Sequence, residues 1–395
     1  MNILIVHNRY REPGGEDRVV DLESALLTRH GHRVVHYVED NARIERMAAP
    51  VVALKTIWNS EGYGQVRALI RQERIDLLHV HNTLPLVSPA VYYAARAAGV
   101  PVVQTLHNYR LLCPNALCFR GDNPCVECVT RRAAIPALRH ACYRRSRAAT
   151  ATIAAMLWVH KTAGTWQRGV DAFIAPSEFA RSMFVGGGLA ADRIIVKPHF
   201  VDPDPGPGSG RGGYAVFVGR LSKEKGVDVL LDAWHRLQGR MPLLVVGDGP
   251  LAPKVAAAEA DIPGLRWLGR RLPSDVQGLV ADASILIFPS LAYETFGQVI
   301  GEAYAAGTPV LASSVGASAE LVEVGRTGLL ARPGDAEDLA AQVERLRARP
   351  QLLADMRVAA RAVYESRLTP DVNYRQLAAI YNTAAERRTH FELTA

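Results

Sequence analysis

Short apolar segments alternate with longer amphipathic segments along this chain, and the alternation begins twice. Runs rich in Val, Ile and Leu, such as 3–8, are typical of buried strands, and stretches such as 17–31, which ends at a glycine, are typical of helices. This order predicts parallel sheets with helices on both faces. Between the two series lies 202–213, whose three Pro and five Gly exclude a regular element.

The sequence therefore predicts an α/β protein with two Rossmann-like, doubly wound domains that face each other across a cleft. We expect strands at 3–8, 33–39, 76–82, 100–108, 172–177 and 193–201, and again at 214–220, 242–249, 265–270, 284–290 and 308–313. The predicted boundaries are an N-terminal domain at 1–201 with an insertion at 109–150, a linker at 202–213, a C-terminal domain at 214–370, and a terminal helix at 371–395 that packs back toward the N-terminal domain.

The composition excludes several classes of protein. An apolar fraction of 49% and a charged fraction of 22% are ordinary for a globular chain of 395 residues and exclude disorder, collagen and coiled coil. The apolar stretch 148–160 has 13 residues, whereas a membrane span needs about 20. The N-terminus lacks the basic start of a signal peptide and is predicted to form the first strand. We therefore expect a cytosolic protein whose five cysteines are mostly reduced.

The formal net charge of +7 is concentrated in the first half of the chain. Residues 1–200 contain 25 of the 46 Lys and Arg residues and 16 of the 39 Asp and Glu residues. Residues 201–395 contain the remaining 21 basic and 23 acidic residues. Six Arg and no carboxylate lie between Arg131 and Arg147. This region suggests an anionic partner such as a nucleic acid, a phospholipid surface or a phosphorylated substrate, and a generally Arg-rich composition explains it equally well.

Residues at the predicted strand ends of the first half are candidates for ligand contact, because ligands of open α/β sheets bind at that edge. Gly14 and Gly15 follow the first strand, where their amides suit a phosphate or a sugar, and a tight turn is the alternative. Two strands end in His-Asn, at His81 and His107. A histidine there can exchange a proton near neutral pH, whereas we expect His79 to be a packing residue.

In the second half, the segment VGRLSKEKG places Arg220 at the end of a strand and Lys225 just before a helix. Such an arginine and lysine beside a helix N-terminus can bind a diphosphate, and a surface pair between Glu224 and a lysine is the alternative. The motif VVGDGP after the next strand either lines a nucleotide or forms a turn that needs positive φ. Its candidate residues are Gly247, Asp248 and Gly249.

The segment ETFGQVIGE at 294–302 carries the strongest signal. Glu294 lies in the loop after a predicted strand, and Glu302 lies about two turns farther along the chain in the following helix. Unpaired amides at the helix start can hold a phosphate or sugar hydroxyls, and a carboxylate can accept bonds from the vicinal hydroxyls of a sugar. A solvated helix face is the alternative, but the apolar segment between the two glutamates favours a site. The amide candidates are Thr295, Phe296, Gly297 and Gln298.

Together, PGGE, TLHN, GRLSKEKG, VVGDGP and ETFGQVIGE resemble the motifs of retaining glycosyltransferases of family 4, which have the GT-B fold, and the resemblance spans nearly the whole chain. The resemblance implies an N-terminal domain that binds the acceptor and a C-terminal domain that binds a nucleotide-diphosphate sugar. It implies transfer with retention, in which the departing phosphate takes the acceptor proton. It also implies that Arg and Lys replace a catalytic metal and that no cofactor is needed.

The resemblance assigns a role to each candidate. Arg220 and Lys225 would neutralise the diphosphate, and His107 would lie beside the anomeric carbon. Glu294 would bond a hydroxyl of the donor sugar, and Glu302 would hold the ribose. Further contacts to sugar and phosphate would come from Gly14, Gly15 and the amides of Thr295, Phe296 and Gly297.

The insertion at 109–150 departs from a minimal version of this fold. Its cysteines have the spacing C-x4-C-x6-C-x2-C, with one more cysteine downstream, and only Cys125 and Cys128 are spaced as zinc ligands usually are. Reduced buried thiols, structural zinc and a disulfide are the three alternatives. The residues concerned are Cys113, Cys118, Cys125, Cys128 and Cys142.

The arginines of 131–147 and the apolar stretch 148–160 resemble an interfacial patch that binds lipid phosphates and acyl chains, and a buried helix is the alternative. The patch implies a lipid-linked saccharide acceptor at the inner face of the cytoplasmic membrane, as in the synthesis of exopolysaccharide, capsule or lipopolysaccharide. The apolar contacts would come from Ile153, Met156, Leu157 and Trp158.

Two other functions fit a two-lobed protein that binds sugar nucleotides. A nucleotide-sugar 2-epimerase has no need for the paired glutamates and the GRxxxEKG set. A non-catalytic binding protein is disfavoured because all the expected charged residues are present. We expect no specific nucleic-acid partner, since no basic motif interleaved with aromatic residues is found.

Overall fold

The computed structural model describes residues 1–12 and 14–394, with side chains up to residue 390, and the chain divides into two compact units. Unit 1 comprises Met1–Cys118, Val126–Lys197 and Tyr374–Ala395, and unit 2 comprises Phe119–Cys125 and Pro198–Asn373. The short segment of unit 2 comes from within the predicted insertion.

The predicted linker at 202–213 lies inside unit 2, because the division falls just after Lys197. Its backbone is tied to that unit by hydrogen bonds from the Gly208 amide to the Ala306 carbonyl and from the Gly210 amide to the Ala281 carbonyl. A segment rich in Pro and Gly thus has no regular structure and is still held along its length.

The strands of the first half form a six-stranded parallel sheet in unit 1 and a short antiparallel hairpin in unit 2. They are β1 (Asn2–Arg9), β2 (Arg33–Asp40), β3 (Leu77–Val80), β4 (Val102–Thr105), β5 (Phe119–Arg120), β6 (Asn123–Pro124), β7 (Ala172–Ala175) and β8 (Ile194–Val196). The sheet order is β2-β1-β3-β4-β7-β8, and β5 pairs with β6.

The sheet of unit 2 is also parallel and has six strands. They are β9 (Ala215–Val218), β10 (Leu243–Val246), β11 (Leu265–Gly269), β12 (Ile285–Phe288), β13 (Val310–Ser313) and β14 (Gly328–Ala331), in the order β11-β10-β9-β12-β13-β14. The strand β14 was not predicted from the sequence. This four-residue strand begins at a glycine because a Cβ at Gly328 would lie 1.8 Å from the Val310 carbonyl oxygen of the adjacent strand.

Helices connect the strands and cover the sheets. Those of the first half are α1 (Gly15–Arg29), α2 (Ala49–Ile57), α3 (Ser60–Gln72), α4 (Ala90–Arg96), α5 (Glu127–Thr130), α6 (Ile135–His140), α7 (Arg147–Thr162), α8 (Thr165–Gly169) and α9 (Glu178–Gly186). Those of the second half are α10 (Val227–Leu237), α11 (Ala252–Asp261), α12 (Pro273–Asp282), α13 (Gln298–Ala305), α14 (Gly316–Leu321), α15 (Ala336–Arg347), α16 (Pro350–Val363) and α17 (Pro370–Thr394). Further helical turns lie at Asn41–Arg46, Ala191–Arg193, Lys223–Lys225 and Tyr364–Leu368.

The strand order of each sheet determines where a ligand can bind. In unit 2 the order reverses between β9 and β12, and in unit 1 it reverses between β1 and β3. Where the order reverses, the connections leave toward opposite faces and open a crevice at the carboxyl ends of the strands. The loops that follow β9, β12, β1 and β3 are therefore the positions at which to look for a site.

The long C-terminal helix contributes to the core of unit 1. Four apolar side chains of α17, spaced at three and four residues, form one helix face that packs with Ile3 and Ile5 of β1. The helix thus covers one face of the sheet and closes a core that the first 200 residues alone would leave open. The four residues are Leu377, Ile380, Tyr381 and Ala384.

We expect Leu377→Ala to lower the free energy of unfolding of unit 1 by about 2–5 kcal/mol, because it leaves a cavity at a fully buried position. Urea denaturation followed by circular dichroism measures this. Arg375→Ala, at an exposed position of the same helix, is the control and should change stability by less than about 0.5 kcal/mol. Equal stabilities of the two variants would contradict the packing role of α17.

Candidate functional site

The point where strand order reverses in unit 2 brings together two of the predicted motifs. Arg220 is exposed and lies two residues after the end of β9, and Lys225 ends the helical turn Lys223–Lys225 that precedes α10. The loop that contains Glu294 follows β12, the strand adjacent to β9. Residues about 70 positions apart in sequence thus converge at one edge of the sheet.

Lys225 and Glu294 form an ion pair. The Nζ atom of Lys225 donates to Oε1 of Glu294 at 2.7 Å, and the two side chains are 28% and 18% exposed. The same carboxylate oxygen accepts a bond from the Ser290 hydroxyl at 2.8 Å, and Nζ lies 5.9 Å from the centroid of the Phe288 ring. A half-buried cation is therefore held in a defined position at the strand ends.

Gly226 explains why this pair can form. Its φ is +72°, and a Cβ at this position would lie 1.9 Å from the Pro289 carbonyl oxygen. The backbone of the turn therefore packs directly on the loop after β12. The Glu224 carbonyl oxygen reinforces this contact, because it accepts bonds from the Leu291 amide at 2.8 Å and the Ser290 hydroxyl at 3.1 Å.

The backbone of the EKG motif thus packs against the segment that precedes Glu294. The Glu224 side chain accepts a bond from the Ser222 hydroxyl within its own turn. The ion pair between the loop after β9 and the loop after β12 joins Lys225 to Glu294.

The TFGQ segment forms the start of α13. Phe296 is buried and meets His199 edge to face at 5.3 Å, so that its side chain belongs to the core. Gly297 has a φ of +94° and caps the helix, which begins at Gln298. The Gln298 side chain donates to the Phe200 carbonyl oxygen at 3.0 Å. The Phe296 and Gln298 side chains thus contact the protein itself, and ligand contact by the backbone of this segment stays a prediction.

Glu302 lies in the second turn of α13 and is half-buried. One residue that the sequence analysis did not select also shapes this region. Gly316 begins α14 with a φ of +60°, and a Cβ there would lie 3.1 Å from Cα of Tyr293 and 3.2 Å from the Glu294 amide nitrogen. The loop that carries Glu294 thus packs closely against two glycines, Gly226 and Gly316.

The glycines of VVGDGP allow a similarly close contact. A Cβ at Gly247 would lie 1.9 Å from the Gly219 carbonyl oxygen, and one at Gly249 would lie 2.6 Å from the Leu221 carbonyl oxygen. Both have positive φ. The loop after β10 therefore packs on the loop that carries Arg220, and the side chain of Asp248 accepts a bond from the Gly249 amide at 2.7 Å.

In unit 1, His107 lies at the end of a chain of histidines. Its Nε2 atom is 2.9 Å from Nδ1 of His81, and the two rings are stacked. The two nitrogens of His79 are each 2.8 Å from a hydroxyl, one of Tyr381 and one of Thr105. The packing role predicted for His79 agrees with its complete burial. Because burial lowers the pKa of His79 to about 4, this imidazole is neutral at pH 7.

Next to the histidines lies a fully buried ion pair that the sequence analysis did not predict. Nζ of Lys197 donates to Oε1 of Glu23 at 2.7 Å, and both side chains are 0% exposed. Oε2 of the same carboxylate lies 3.7 Å from Nε2 of His81. The sequence gives little indication that the two residues are buried, because Glu23 lies on an amphipathic helix and Lys197 lies at the end of a strand. Burial lowers the pKa of His81 as well, well below its ordinary value.

Glu23, His79 and His81 have the composition of a metal site, and one ligand atom of each lies within 4.8 Å of the others. Several of their atoms already have partners, because the Lys197 ammonium bonds Oε1 of Glu23 and hydroxyls lie within hydrogen-bond distance of both nitrogens of His79. The geometry is that of a hydrogen-bonded network in which an ammonium supplies the positive charge.

The loop after β1 joins the PGGE and TLHN motifs. Nδ2 of Asn108 donates to Oε2 of Glu16 at 3.1 Å, and the Tyr10 hydroxyl donates to the same oxygen at 3.0 Å. Burial raises the pKa of Glu16 to about 8, with smaller opposing effects of these two bonds. Apart from their chain neighbours, no described atom lies within 4 Å of a Cβ built at Gly14 or Gly15. The packing of the described chain thus gives no steric reason for these two glycines.

The five cysteines of the insertion are free thiols in this structure, and Cys113, Cys118 and Cys128 are buried. Hydrogen bonds with Cys118 and, to a smaller extent, with Cys128 lower the pKa of the Cys113 thiol. The hydrogen bond with Cys113 and burial both raise the pKa of the Cys128 thiol. Structural zinc at these residues stays an open alternative.

The predicted apolar contacts of the interfacial patch are wrong for Ile153 and Met156. Ile153, Met156 and Leu157 lie on the buried face of α7 and are at most 7% exposed, whereas Trp158 is 70% exposed. The helical period turns every third or fourth residue inward, so that a continuous apolar stretch does not present a continuous apolar surface. Among the described residues, no helix has the length and apolar character that crossing a bilayer requires.

Two family models match this chain. The model described as Glycosyltransferase Family 4 matches residues 13–205, and the model described as Glycosyl transferases group 1 matches residues 212–349. A 2-deoxystreptamine glucosyltransferase of Streptomyces kanamyceticus is 31% identical over 330 residues, which cover 80% of this chain and 79% of that protein. A D-inositol 3-phosphate glycosyltransferase of Nocardiopsis dassonvillei is 30% identical over 328 residues, which cover 75% of this chain and 68% of that protein.

Among solved structures, Alr3699/HepE of Anabaena in complex with UDP-glucose superposes with a TM-score of 0.71 at 21% sequence identity. The superposition covers 97% of this chain and 100% of that chain. Together with the two Rossmann-like sheets, it confirms the predicted α/β architecture and the GT-B fold.

We expect Lys197→Met to destabilise unit 1 by about 3–5 kcal/mol, because it leaves the buried Glu23 carboxylate without its cation. Urea denaturation measures the loss. Lys55→Met, which breaks a partly exposed pair with Glu61 in the same unit, is the control and should cost less than about 1 kcal/mol. A similar small loss for both variants would contradict the buried pair.

The pKa of Glu16 predicts a pH dependence of stability. A carboxyl whose pKa rises from 4.5 to about 8 on folding contributes stability that is fully present below pH 4.5 and is lost as the pH rises through about 8. Thermal unfolding midpoints between pH 5 and pH 8.5 should therefore fall more steeply for the wild type than for Glu16→Gln. Glu12→Gln, at an exposed position of the same loop, should keep the wild-type slope. Equal slopes for Glu16→Gln and the wild type would contradict the burial of a protonated Glu16.

Proposed function

Because this chain belongs to the group 1 glycosyltransferases of glycosyltransferase family 4, we propose that it moves a sugar from a nucleotide-diphosphate sugar to an acceptor with retention of the anomeric configuration and without a metal ion. The observation that carries the proposal is the Lys225–Glu294 pair where strand order reverses in unit 2, with Arg220 on the adjacent loop.

The proposed chemistry follows from the charges that develop during transfer. The bond between the anomeric carbon and the phosphate oxygen breaks, so that positive charge grows on the sugar ring and negative charge on the leaving diphosphate. Arg220 and Lys225 neutralise the diphosphate and take the place of a metal ion. One such preorganised donor is worth about 3–4 kcal/mol of transition-state stabilisation in other enzymes.

Retention follows if the acceptor hydroxyl attacks on the face from which the diphosphate departs. The hydroxyl oxygen then forms the new bond to the anomeric carbon, and its proton passes to the departing phosphate oxygen. This route needs no protein carboxylate as nucleophile. It assigns Glu294 to binding of a donor hydroxyl and to fixing the position of Lys225.

The other residues are proposed to orient the donor. The backbone of Thr295, Phe296 and Gly297 supplies amides to sugar and phosphate, and Glu302 accepts bonds from the ribose hydroxyls. The turn that contains Asp248 packs on the Arg220 loop and would line the nucleotide. A complex of a GT-B neighbour with UDP-glucose supports a nucleotide sugar as the donor.

In unit 1 we propose that His107 contacts the sugar near its anomeric carbon. The hydrogen bond with His81 fixes the orientation of its ring. Gly14 and Gly15 would approach the diphosphate, and the open space around both positions supports a role in ligand contact rather than in packing.

The acceptor is proposed to be a lipid-linked saccharide used in surface polysaccharide synthesis at the inner face of the cytoplasmic membrane. The six arginines of 131–147, which occur without an acidic residue among them, support an anionic acceptor. The exposed Trp158 on the helix that follows supports an apolar component.

We expect Glu294→Gln and Lys225→Met to lower the release of nucleoside diphosphate from the donor by about 100-fold or more, because each removes a charge at the reacting diphosphate or sugar. The assay uses UDP-, GDP- and ADP-sugars with a membrane lipid extract as acceptor, and NMR of the product reports the anomeric configuration. Near-wild-type turnover of either variant, or inversion in the product, would contradict the proposal.

Two controls and a binding measurement accompany this assay. Glu337→Gln and Lys254→Met change exposed residues of unit 2 and should leave turnover unchanged. UDP, GDP or ADP at 100 times its Kd should stabilise the wild type by about 2.7 kcal/mol, seen as a higher thermal midpoint. The same nucleotide should shift Lys225→Met less than it shifts the controls.

A further inference from the structure

An apolar cavity lies in unit 1 beside α7. We call it the α7 cavity. It has a volume of about 390 Å³, in the lower part of the range of about 300–1,000 Å³ that is usual for small-molecule sites. Helices α6 and α7 and the segment after α9 form its walls. The apolar residues that define it include Leu112, Leu138, Ala151, Leu157, Trp158 and Leu189.

The α7 cavity is apolar inside and cationic at its rim. No Asp or Glu of the described chain lines it, and its charged lining residues are Arg132 and Lys161, both exposed. Nζ of Lys161 donates to the Arg132 carbonyl oxygen at 2.6 Å, which holds the ammonium next to the arginine. Trp158 and Ile135 are 70% and 68% exposed, so that the cavity is accessible from solvent.

The α7 cavity also adjoins the region of His107. A small cavity of about 30 Å³ is lined by His81, His107 and Asn108, and it shares two lining residues with the α7 cavity. These shared residues are Leu111 and Trp166. The two cavities thus adjoin at these side chains, and the smaller one is lined by the histidine that we propose contacts the donor sugar.

We propose that the α7 cavity binds the hydrocarbon chain of the acceptor, with the acceptor phosphate at Arg132 and Lys161. This inference rests on the proposed function, because it assigns the lipid part of the proposed lipid-linked acceptor. An amphiphile with one apolar chain and an anionic head matches both the apolar lining and the two cations at its rim. A wholly apolar partner would gain nothing from the two cations, and a polar partner would gain nothing from the apolar lining.

The test uses dodecyl phosphate, below its critical micelle concentration, as the probe in isothermal titration calorimetry. We expect the wild type to bind it and Ala151→Trp to bind it at least tenfold more weakly, because the new side chain occupies the cavity. Ala148→Trp, one turn earlier at an exposed position of the same helix that does not line the cavity, should bind like the wild type. Equal affinities of Ala151→Trp and the wild type, or no binding by the wild type, would overturn the proposal.

A second variant keeps the test informative if Ala151→Trp does not fold. Lys161→Gln leaves the apolar lining intact, so that it should weaken dodecyl phosphate at least threefold and leave the affinity for dodecanol unchanged. A loss of affinity for both probes, or for neither, would contradict the proposed position of the phosphate.

Nucleotide binding separates this proposal from the proposed function. The thermal shift by UDP, GDP or ADP should be the same in the wild type, Ala151→Trp and Ala148→Trp. A nucleotide shift without dodecyl phosphate binding overturns the cavity assignment alone, whereas dodecyl phosphate binding with no nucleotide shift overturns the proposed function and the acceptor assignment with it. A wild-type dimer that Ala151→Trp dissociates, without probe binding, would assign the cavity to a second copy of the chain.

Discussion

The close approach of Gly226 to the carbonyl oxygen of Pro289 is the constraint on which the candidate site in unit 2 depends. A Cβ at this position would lie 1.9 Å from that oxygen, so that the turn after β9 and the loop after β12 can pack together only if residue 226 is a glycine. This contact places Lys225 within hydrogen-bond distance of Glu294. Gly247 and Gly316 also allow close backbone contacts, Gly247 with the loop that carries Arg220 and Gly316 with the loop that carries Glu294. Backbone packing thus positions the charged side chains.

In unit 1, buried polar groups rather than glycine contacts surround the candidate histidine His107. Burying Glu23 and Lys197 costs desolvation energy, which their attraction offsets only because the geometry is close and further polar atoms surround the pair. His79 and His81 lie between this pair and His107: Oε2 of Glu23 is 3.7 Å from Nε2 of His81, and Nδ1 of His81 is 2.9 Å from Nε2 of His107. Such a network is sensitive to the loss of any member, whereas a core of aliphatic side chains tolerates change more evenly.

The sequence predicted the architecture and the location of the charged residues in unit 2, because glycines and charges at strand ends are local signals. It did not predict that Lys225 pairs with Glu294, since the partner of a charge depends on loop packing between distant segments. Glu23, on an amphipathic helix, and Lys197, at the end of a strand, were missed because charged residues at such positions are usually exposed. For the apolar stretch at 148–160 a lipid contact and a buried helix were both left open, and helical periodicity buries six of its thirteen residues. The strand β14 was missed because its sequence, GLLA, contains neither a β-branched nor an aromatic residue.

The ion pair of unit 2 also bears on how a donor would be bound. A lysine that is free in solution must be ordered and desolvated when a diphosphate arrives, and this reorganisation reduces the benefit of its charge. Glu294 and Ser290 remove part of that cost in advance, because they hold the ammonium in place before any ligand is present. In the proposed function, the same carboxylate that preorganises Lys225 would also accept a bond from a hydroxyl of the donor sugar. One side chain would then position both the cation at the leaving group and the sugar that departs from it.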